Sequence, residues 1–550
     1  MSGLLVISRE TRRDERRAVM NRCKFLLASA AAISILLSGC KPPPDDSNVL
    51  RAVLHADLQS LDPVVTTIGI VQRHALMVYD FLFGRDVFGT PKPQMVEKWS
   101  VSDDGLVWKF TLREGLFFHD ASAVTTTDVI ASLQRWGQRD VYGRQIFAVT
   151  EQLVAIDKKS FVWRLSKPYS LLLHALSKTG GPVAAIMPAS VAATSATTSI
   201  KNSIGSGPYI FDTAAWVPGA KVVYRKNPHY RPRDEAPDGT AGGKVAYIDT
   251  VEWINIRDPQ SAVLALANGE IDYVENPSPE FLPLLRTAGV TIQRADTLGF
   301  QGMLRMNHLH PPFDDPLARQ ALLYLIDQDR YLQAMFGDPE VSNNCNAFFV
   351  CGSPYESNAG VPESIGKNRE KARELMKASG YDGRPLVILH PTDIQFMNLA
   401  TLVLADDLKS IGVNVDLQAM DFGAMGSRRV NRSSPLAGGW DIGLTYWPGG
   451  NISDPVGNVP MQANCEDAWP GWPCDAEHQG MIEAFPYALN EQARKKLADQ
   501  IQTSAYELVP YVPIGQWFAP VAYSPRVSGV LSVPGSTVFW NIKKNPYQPP

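Results

Sequence analysis

PQMVEKWSVSDDGLVWKFTLREGLFFHDASAVTTTDVIASLQRW, residues 93–136, is the stretch with the clearest local grammar. Trp99 ends an apolar lead-in, and Ser102-Asp103-Asp104-Gly105 supplies a turn. Asp-Gly between two apolar runs signals a hairpin, because Gly tolerates positive φ. From Val107 to Leu112 the pattern alternates, with Trp108, Phe110 and Leu112 on one face and Lys109 and Thr111 on the other. A period of two predicts a strand with one buried side. Arg113-Glu114-Gly115 turns the chain and Phe117-Phe118-His119 continues it. Thr127 or Asp128 is then placed as the cap of a helix whose Val129, Leu133 and Trp136 fall at near-helical spacing.

This run resembles the signature W-x-V-S-x-D-G … F-x-L-R-x-G-x-x-F-H-D … T-x-x-D-V-x-x-S of the family 5 extracellular solute-binding proteins, the receptors of peptide-type ABC importers. Ala121 departs from it, since the family usually has Gly after His-Asp. Further markers of the resemblance are Leu61-Asp62-Pro63, Gly205-Ser206-Gly207-Pro208-Tyr209, Arg225 to Tyr230, Gly269-Glu270-Ile271-Asp272, Phe313-Asp314-Asp315-Pro316 with Arg319, and Trp540-Asn541-Ile542. Together they cover residues 49–545.

The resemblance implies an α/β fold of the two-lobe periplasmic-binding-protein type (class II, cluster C-like). It would have mixed sheets with packed helices and an extra subdomain inserted in lobe I. The expected division is lobe I at 49–299 with the insert at about 73–195, lobe II at 300–511, and a return to lobe I at 512–550. Crossings are expected at 298–307 and 509–513.

Composition agrees with a protein of this size class. A chain of 550 residues exceeds one ordinary core. Its 45% hydrophobic and 20% charged content is globular. A pI near 6.2 argues against a nucleic-acid partner.

The front of the chain reads as a processing segment, residues 1–39. Asn21 to Lys24 form a short basic region, residues 25–37 are apolar, and Leu37-Ser38-Gly39-Cys40 reads as a lipobox. The apolar run is short for a bilayer span. The expectation is therefore a lipidated Cys40 and a polar, Pro-rich tether over 40–48, which gives a periplasmic, membrane-anchored protein. Met20 is a candidate start, with 1–19 a misassigned extension. Removal of 1–39 leaves 45 basic and 53 acidic residues, net −8.

Four cysteines then remain: Cys345, Cys351, Cys465 and Cys474. An even number in an exported chain suggests disulfides. Three pairings are possible, and the local one, 345–351 with 465–474, is preferred because each pair brackets a turn-rich loop. Neither spacing is CxxC and no His neighbours either pair, so zinc is disfavoured.

Elsewhere, a strand is expected at 49–61, a helix at 71–81, a strand at 161–165 and a helix at 171–176. A helix at 258–268 should stop at Gly269. The segment 369–417 should alternate helix, strand, helix, strand, and 490–508 is the last long helix. Gly205 to Tyr209 reads as a structural turn and not as a nucleophile elbow or a phosphate loop. Gly269-Glu270-Ile271-Asp272 reads as a helix stop leading into a strand.

Two lobes imply a cleft that closes on a solute. The resemblance places ligand contacts at Thr66, Thr67 and Ile68, and in Tyr446, Trp447, Asn451 and Asp454. Aromatic rings facing a cleft stack on peptide planes, sugars or cations. The plainer alternatives are an ordinary strand-to-helix loop, core packing for the two aromatics, and turn-capping for Asp454. In the dipeptide receptors an Asp three residues before Asp-Pro pairs with the peptide amino terminus; here Asn451 stands there. Those receptors also hold the peptide carboxylate with an Arg, and residues 386–398 contain none, only His390, Thr392, Asp393 and Gln395 among the polar candidates. An unpaired buried terminus costs roughly several kcal/mol. "Solute receptor" is thus a firmer expectation than "dipeptide receptor", and a non-peptide solute (sugar, opine, metal chelate or haem) is the alternative.

His308-Leu309-His310 would put two rings on one face of a strand, short of a metal-ligand set. No metal, cofactor or catalytic group is expected. A lipid-anchored hydrolase would need a nucleophile with its base or a metal triad, and no GxSxG or HExxH occurs. A sensing lipoprotein without a transporter is a further alternative. The expected partners are the solute, ABC permease subunits and the membrane, with the receptor a monomer.

Overall fold

The hairpin of the opening motif supplies two strands of a four-stranded antiparallel sheet of Val96–Val101, Val107–Leu112, Ser160–Leu165 and Thr150–Ala155, in that order. Gly105 takes φ +73° and its N–H donates to Ser102 O, as an Asp-Gly turn requires. Trp108, Phe110 and Leu112 are buried while Lys109 is exposed. The computed structural model describes residues 46–546; the signal segment, Cys40 and most of the tether lie outside them.

The helix after the motif runs over Thr126–Gly137, and its cap is Thr125 rather than Thr127 or Asp128. Thr125 N–H and Oγ1 both donate to Asp128 Oδ2, at 2.9 and 2.7 Å. Three consecutive threonines offer three equivalent caps, and the carboxylate three residues on selects the first. Ala121 adopts φ +67°, the left-handed conformation that favours glycine.

A seven-stranded mixed sheet has the order Thr291–Gln293, Val521–Tyr523, Tyr273–Glu275, Val49–Val53, Thr250–Ile254, Lys221–Lys226, Tyr209–Phe211. Val49–Val53 lies at its centre, parallel to both neighbours. A six-stranded sheet has the order Ser342–Asn343, Val512–Trp517, Phe300–Met306, Ile442–Pro448, Leu386–Pro391, Val415–Met420. All three sheets lie in one contact unit, Asn48–Lys544.

Several expected bounds move for identifiable reasons. The first strand ends at Val53, not 61. Beyond it the buried Asp62 carboxylate turns to Arg135, at 3.0 and 2.7 Å, and to the N–H groups of Val64 and Ile200. This ties the Leu-Asp-Pro turn to the motif helix. The next helix is Gly69–Val78 and stops before Asp80, whose carboxylate forms a buried pair with Lys244 at 2.8 Å. Val512–Trp517 belongs to the six-stranded sheet. The chain therefore changes sheets between Gln293 and Phe300 and between Trp517 and Val521, whereas crossings were expected at 298–307 and 509–513. The two crossings touch: a Cβ on Gly299 would stand 2.1 Å from Trp517 O, and Gln516 Nε2 donates to Leu298 O at 2.8 Å.

The expected helices appear as Pro259–Ala267, capped by Asp258 and followed by Gly269 at φ +73°, and as Arg369–Ala378, Gln395–Ser410 and Glu491–Leu508. The sulfurs of Cys345 and Cys351, and of Cys465 and Cys474, lie at bonding distance in the local pairing, with Cα separations of 5.8 and 4.1 Å.

Candidate solute site

The strand Ile442–Pro448 runs through the six-stranded sheet between Phe300–Met306 and Leu386–Pro391, then passes into the turn Gly449–Asn451. Alternation sends its two terminal aromatics to opposite faces. Tyr446 joins half-buried rings of Phe300, Phe396 and Phe422 and the ring of Trp517, at centroid distances of 5.8, 5.3, 6.4 and 5.7 Å. Phe336 closes the group against Trp517 at 5.2 Å. Burial raises the Tyr446 phenol above its ordinary range, so it stays protonated. Trp447 meets Trp469 edge to face at 6.0 Å. Phe300, Phe336, Phe396, Phe422, Tyr446 and Trp517 come from six separate segments, so this aromatic wall is a product of tertiary packing; only Tyr446 and Trp447 are named by the sequence.

Asn451 lies against Gly180. A Cβ at Gly180 would stand 2.8 Å from Asn451 Oδ1, so a larger residue there would displace the Asn451 amide. Gly181 O accepts from Gln72 Nε2 at 2.8 Å, and the same nitrogen donates to Thr66 O at 3.0 Å. The Thr66 turn, the Gly180-Gly181 segment and Asn451 thus share one neighbourhood. Thr66 Oγ1 accepts from Ile68 N, while Thr67 and Ile68 are exposed. Gln72 Oε1 is buried without a partner. Gln72 went unnoticed in the sequence, although a glutamine among Ile70, Val71, Ala75 and Leu76 is a polar interruption of a buried helix face.

Asp454 is buried and its carboxylate is fully committed. Oδ1 accepts from the N–H groups of Val456 and Gly457, at 2.9 and 3.0 Å. Oδ2 accepts from Tyr142 Oη at 2.8 Å and lies 3.1 Å from His174 Nε2. Burial pushes this carboxyl up, but His174, Gly457 N–H and Tyr142 together hold it below the usual range. Burial and Arg85 push His174 down, so the neutral ring donates from Nε2. Asp454 therefore caps its own turn and also joins it to the helix Val141–Ala148 and the Leu172–Leu176 segment.

The stretch after Leu386–Pro391 offers no cation. His390 Nε2 is 2.6 Å from Asn398 Oδ1, and Asp393 Oδ1 accepts from Phe422 N–H at 2.8 Å, which braces the aromatic wall.

The other sequence candidates are structural. Gly205 and Gly207 pack on the Val78 carbonyl, where a Cβ at Gly205 would stand 2.0 Å from its oxygen. His308 lies half-buried in the loop after Phe300–Met306 with its Nε2 enclosed, whereas His310 Nε2 meets Arg432 O at 2.9 Å, so the two residues sit in a loop and not on one face of a strand. Among the described residues no group of three His, Cys, Asp or Glu side chains could hold a metal. A buried His74–Ser203 contact of 2.7 Å has Tyr224 as its third member, with no acid to orient the ring. Burial holds His74 down to about 3.

These features correspond to one known class. The family described as bacterial extracellular solute-binding proteins, family 5 (middle), matches residues 90–469. A Sinorhizobium fredii protein named "Probable peptide ABC transporter periplasmic-binding protein" is 37% identical over 525 residues, covering 94% of this chain and 98% of that protein. Among solved structures, the ABC transporter-associated periplasmic binding protein DppA of Helicobacter pylori in complex with peptide STSA superposes with a TM-score of 0.71 at 20% identity, over 90% of this chain and 98% of that one. The A. tumefaciens R10 protein AgaA in complex with agropinic acid gives 0.70 at 21%, over 91% and 99%.

This chain is a member of the family 5 extracellular solute-binding proteins, with their two-lobe α/β fold. It is the substrate-binding component of an ABC importer. Among the described residues no helix is long and apolar enough to cross a membrane.

Proposed function

We propose that this receptor captures a peptide or peptide-like solute between its lobes and delivers it, unchanged, to a membrane permease. The division is lobe I with its insert, about 49–299, a second lobe that runs from about 300 through the strand Val512–Trp517 rather than stopping at 511, and the return thereafter. The observation that carries the reading is the meeting of Asn451, at the end of a six-stranded-sheet strand, with Gly180-Gly181 and the Thr66 turn from the other part of the chain. Closure would bury a solute among these groups and Tyr446, with Trp447 supporting the wall. Thr67 and Ile68 are exposed at the same turn and free to contact it. Asp454 acts in this reading as the brace of the site rather than as a solute contact.

A second reading is favoured by one specific feature. Asn451 carries no charge and residues 386–398 no Arg, so a zwitterionic dipeptide lacks two charge partners there. A solute with differently disposed charges, including a non-peptide, answers that pattern. The protein binds and releases; it performs no reaction. In this reading it is monomeric, periplasmic and anchored by a lipid on Cys40.

Native mass spectrometry of the full chain, purified in mild detergent, tests the reading. A co-purified series of peptide masses supports the peptide receptor. A single non-peptide mass supports the second reading, and no bound solute from any growth medium sinks both. Cys40→Ala should release the protein from the membrane fraction; retention there would overturn the anchor.

A further inference from the structure

Of the two crossings between the large sheets, the first carries an acid without a cation. Asp296 lies between Gln293, which ends a strand of the seven-stranded sheet, and Phe300, which begins one of the six-stranded sheet. Gln293 and Glu275 both pair with Val521, each from a strand antiparallel to Val521–Tyr523. Their own strands therefore run the same way and end at one edge of the sheet. Val49–Val53, parallel to Tyr273–Glu275, ends there too. In open α/β sheets, ligands gather outside such carboxyl ends. Asp296 follows one of them by three residues.

Two separate paths join Asp296 to the neighbourhood of Asn451. On one, Gly535 N–H donates to Asp296 Oδ1 at 2.9 Å, and Pro534 O accepts from Thr179 Oγ1 at 3.1 Å. Thr179 precedes Gly180, the residue that lies against Asn451. On the other, Gly299 O in the same crossing accepts from Gly449 N–H at 2.7 Å, at the start of the turn Gly449–Asn451.

The carboxylate uses one oxygen only. Oδ1 accepts from Gly535 and Leu298 N–H, at 2.9 and 3.0 Å. Among the described residues Oδ2 takes no hydrogen bond and is not enclosed, and the residue keeps accessible surface. The cations whose charge reaches Asp296 are engaged elsewhere: Arg73 by Glu275 and Gly69 O, and Arg294 by the face of the Phe518 ring. Burial pushes the Asp296 carboxyl up, and the neighbouring N–H groups and Arg73 offset this only in part. By contrast Glu275 holds Arg73 and His55, and Asp454 holds Tyr142 and His174. A crowded carboxylate with one open oxygen is stabilised by a charged donor brought to it.

We propose, resting on the peptide reading of this site, that Asp296 receives the free amino terminus of the solute, its Oδ2 accepting from the ammonium group. The negative charge that Asn451 does not supply then comes from the crossing. Peptides with a free amino terminus are the recognised class, and peptides with a blocked one are rejected.

The test uses the full chain in mild detergent, stripped of solute, as wild type and as Asp296→Asn. Asparagine keeps an oxygen for the Leu298 and Gly535 N–H groups and removes only the charge. Each protein is offered an equimolar library of short synthetic peptides, half with a free and half with an acetylated amino terminus. Mass spectrometry reads what is retained. The wild type should favour the free form by about tenfold or more, and Asp296→Asn should favour neither. Equal retention by the wild type, or an undiminished preference in Asp296→Asn, overturns the assignment while the peptide receptor stands. Retention of neither form by the wild type overturns both, and a non-peptide mass in its native spectrum then leaves the second reading in place. Should Asp296→Asn fail to fold, a crystal structure of the wild type with a retained peptide decides. The amino nitrogen should lie within hydrogen-bond distance of Asp296 Oδ2; an amino nitrogen held elsewhere overturns the assignment.

Discussion

Asp454 and Tyr142, 312 positions apart in sequence, share a buried hydrogen bond of 2.8 Å in which the phenol donates to the carboxylate. One residue ends the turn that follows Asn451, and the other lies on a helix beside the motif helix. His174 reaches the same oxygen, so one buried carboxylate gathers three distant segments. Asp454→Asn leaves donors short of an acceptor and is expected to cost about 2–3 kcal/mol, whereas Tyr142→Phe costs about 1 kcal/mol. Urea unfolding of both variants checks this; equal losses would show that the carboxylate is not the shared hub.

Acid should destabilise the fold in two stages. His74 is held down to about 3 and His478 to about 4, both by burial. Each takes up its proton more readily unfolded than folded. Their contribution is complete above the ordinary histidine range and is lost as pH falls from about 6.5 toward those values, at up to about 1.4 kcal/mol per pH unit per group. Asp454 and Glu275 are held below the usual carboxylate range, so their contribution is lost only at still lower pH. Stability measured between pH 7 and pH 3 should fall in that order; a flat profile from 7 to 5 would contradict the histidine assignment.

Glu275 is buried at the end of the strand Tyr273–Glu275 and holds Arg73 Nε and His55 Nδ1, both at 2.5 Å, with Thr537 Oγ1 at 2.8 Å. Burial raises this carboxyl, and Arg73 and His55 more than offset it. Arg73→Met strands a buried charge and is expected to cost about 3–5 kcal/mol. The double variant Arg73→Met with Glu275→Gln should recover part of that loss in the same unfolding assay. No recovery would mean that Arg73 acts through packing alone.

Ala121→Gly should stabilise the protein by about 0.5–1 kcal/mol. The exposed alanine holds φ +67° only to let its N–H reach Phe118 O at 2.9 Å, and glycine adopts that conformation without strain. A loss of melting temperature in the glycine variant would contradict this.

Removing the Cys465–Cys474 link, by paired serine substitutions, should cost about 2–3 kcal/mol, the scale for closing a short loop. The loop carries Trp469, so solute affinity should fall as well. Peptide mapping without reduction should recover 345 with 351 and 465 with 474; a cross-pairing would overturn the local connectivity.

Much of the candidate site was legible because it lies on one continuous stretch. Tyr446, Trp447, Asn451 and Asp454 span nine residues, and the family resemblance named them as expected cleft residues. Their roles were not legible. Asp454 could equally contact a solute or cap a turn, and only the positions of Tyr142 and His174 showed its carboxylate to be fully occupied. Gln72 and Gly180 were missed because each matters through a neighbour more than a hundred residues away.

The sequence by itself determined the local elements, the hairpin at Gly105, the helix stop at Gly269 and the alternating face of Trp108 and Phe110. These follow from backbone freedom and from side-chain periodicity within a few residues, which act before any distant contact forms. Only the tertiary structure decided which sheet takes Val512–Trp517, which threonine caps Thr126–Gly137, and that Asp62, beyond the end of the first strand at Val53, turns to Arg135. Each of those outcomes turns on where a polar side chain finds its partner once water is excluded. That partner is set by packing across the whole chain, not by the residues beside it.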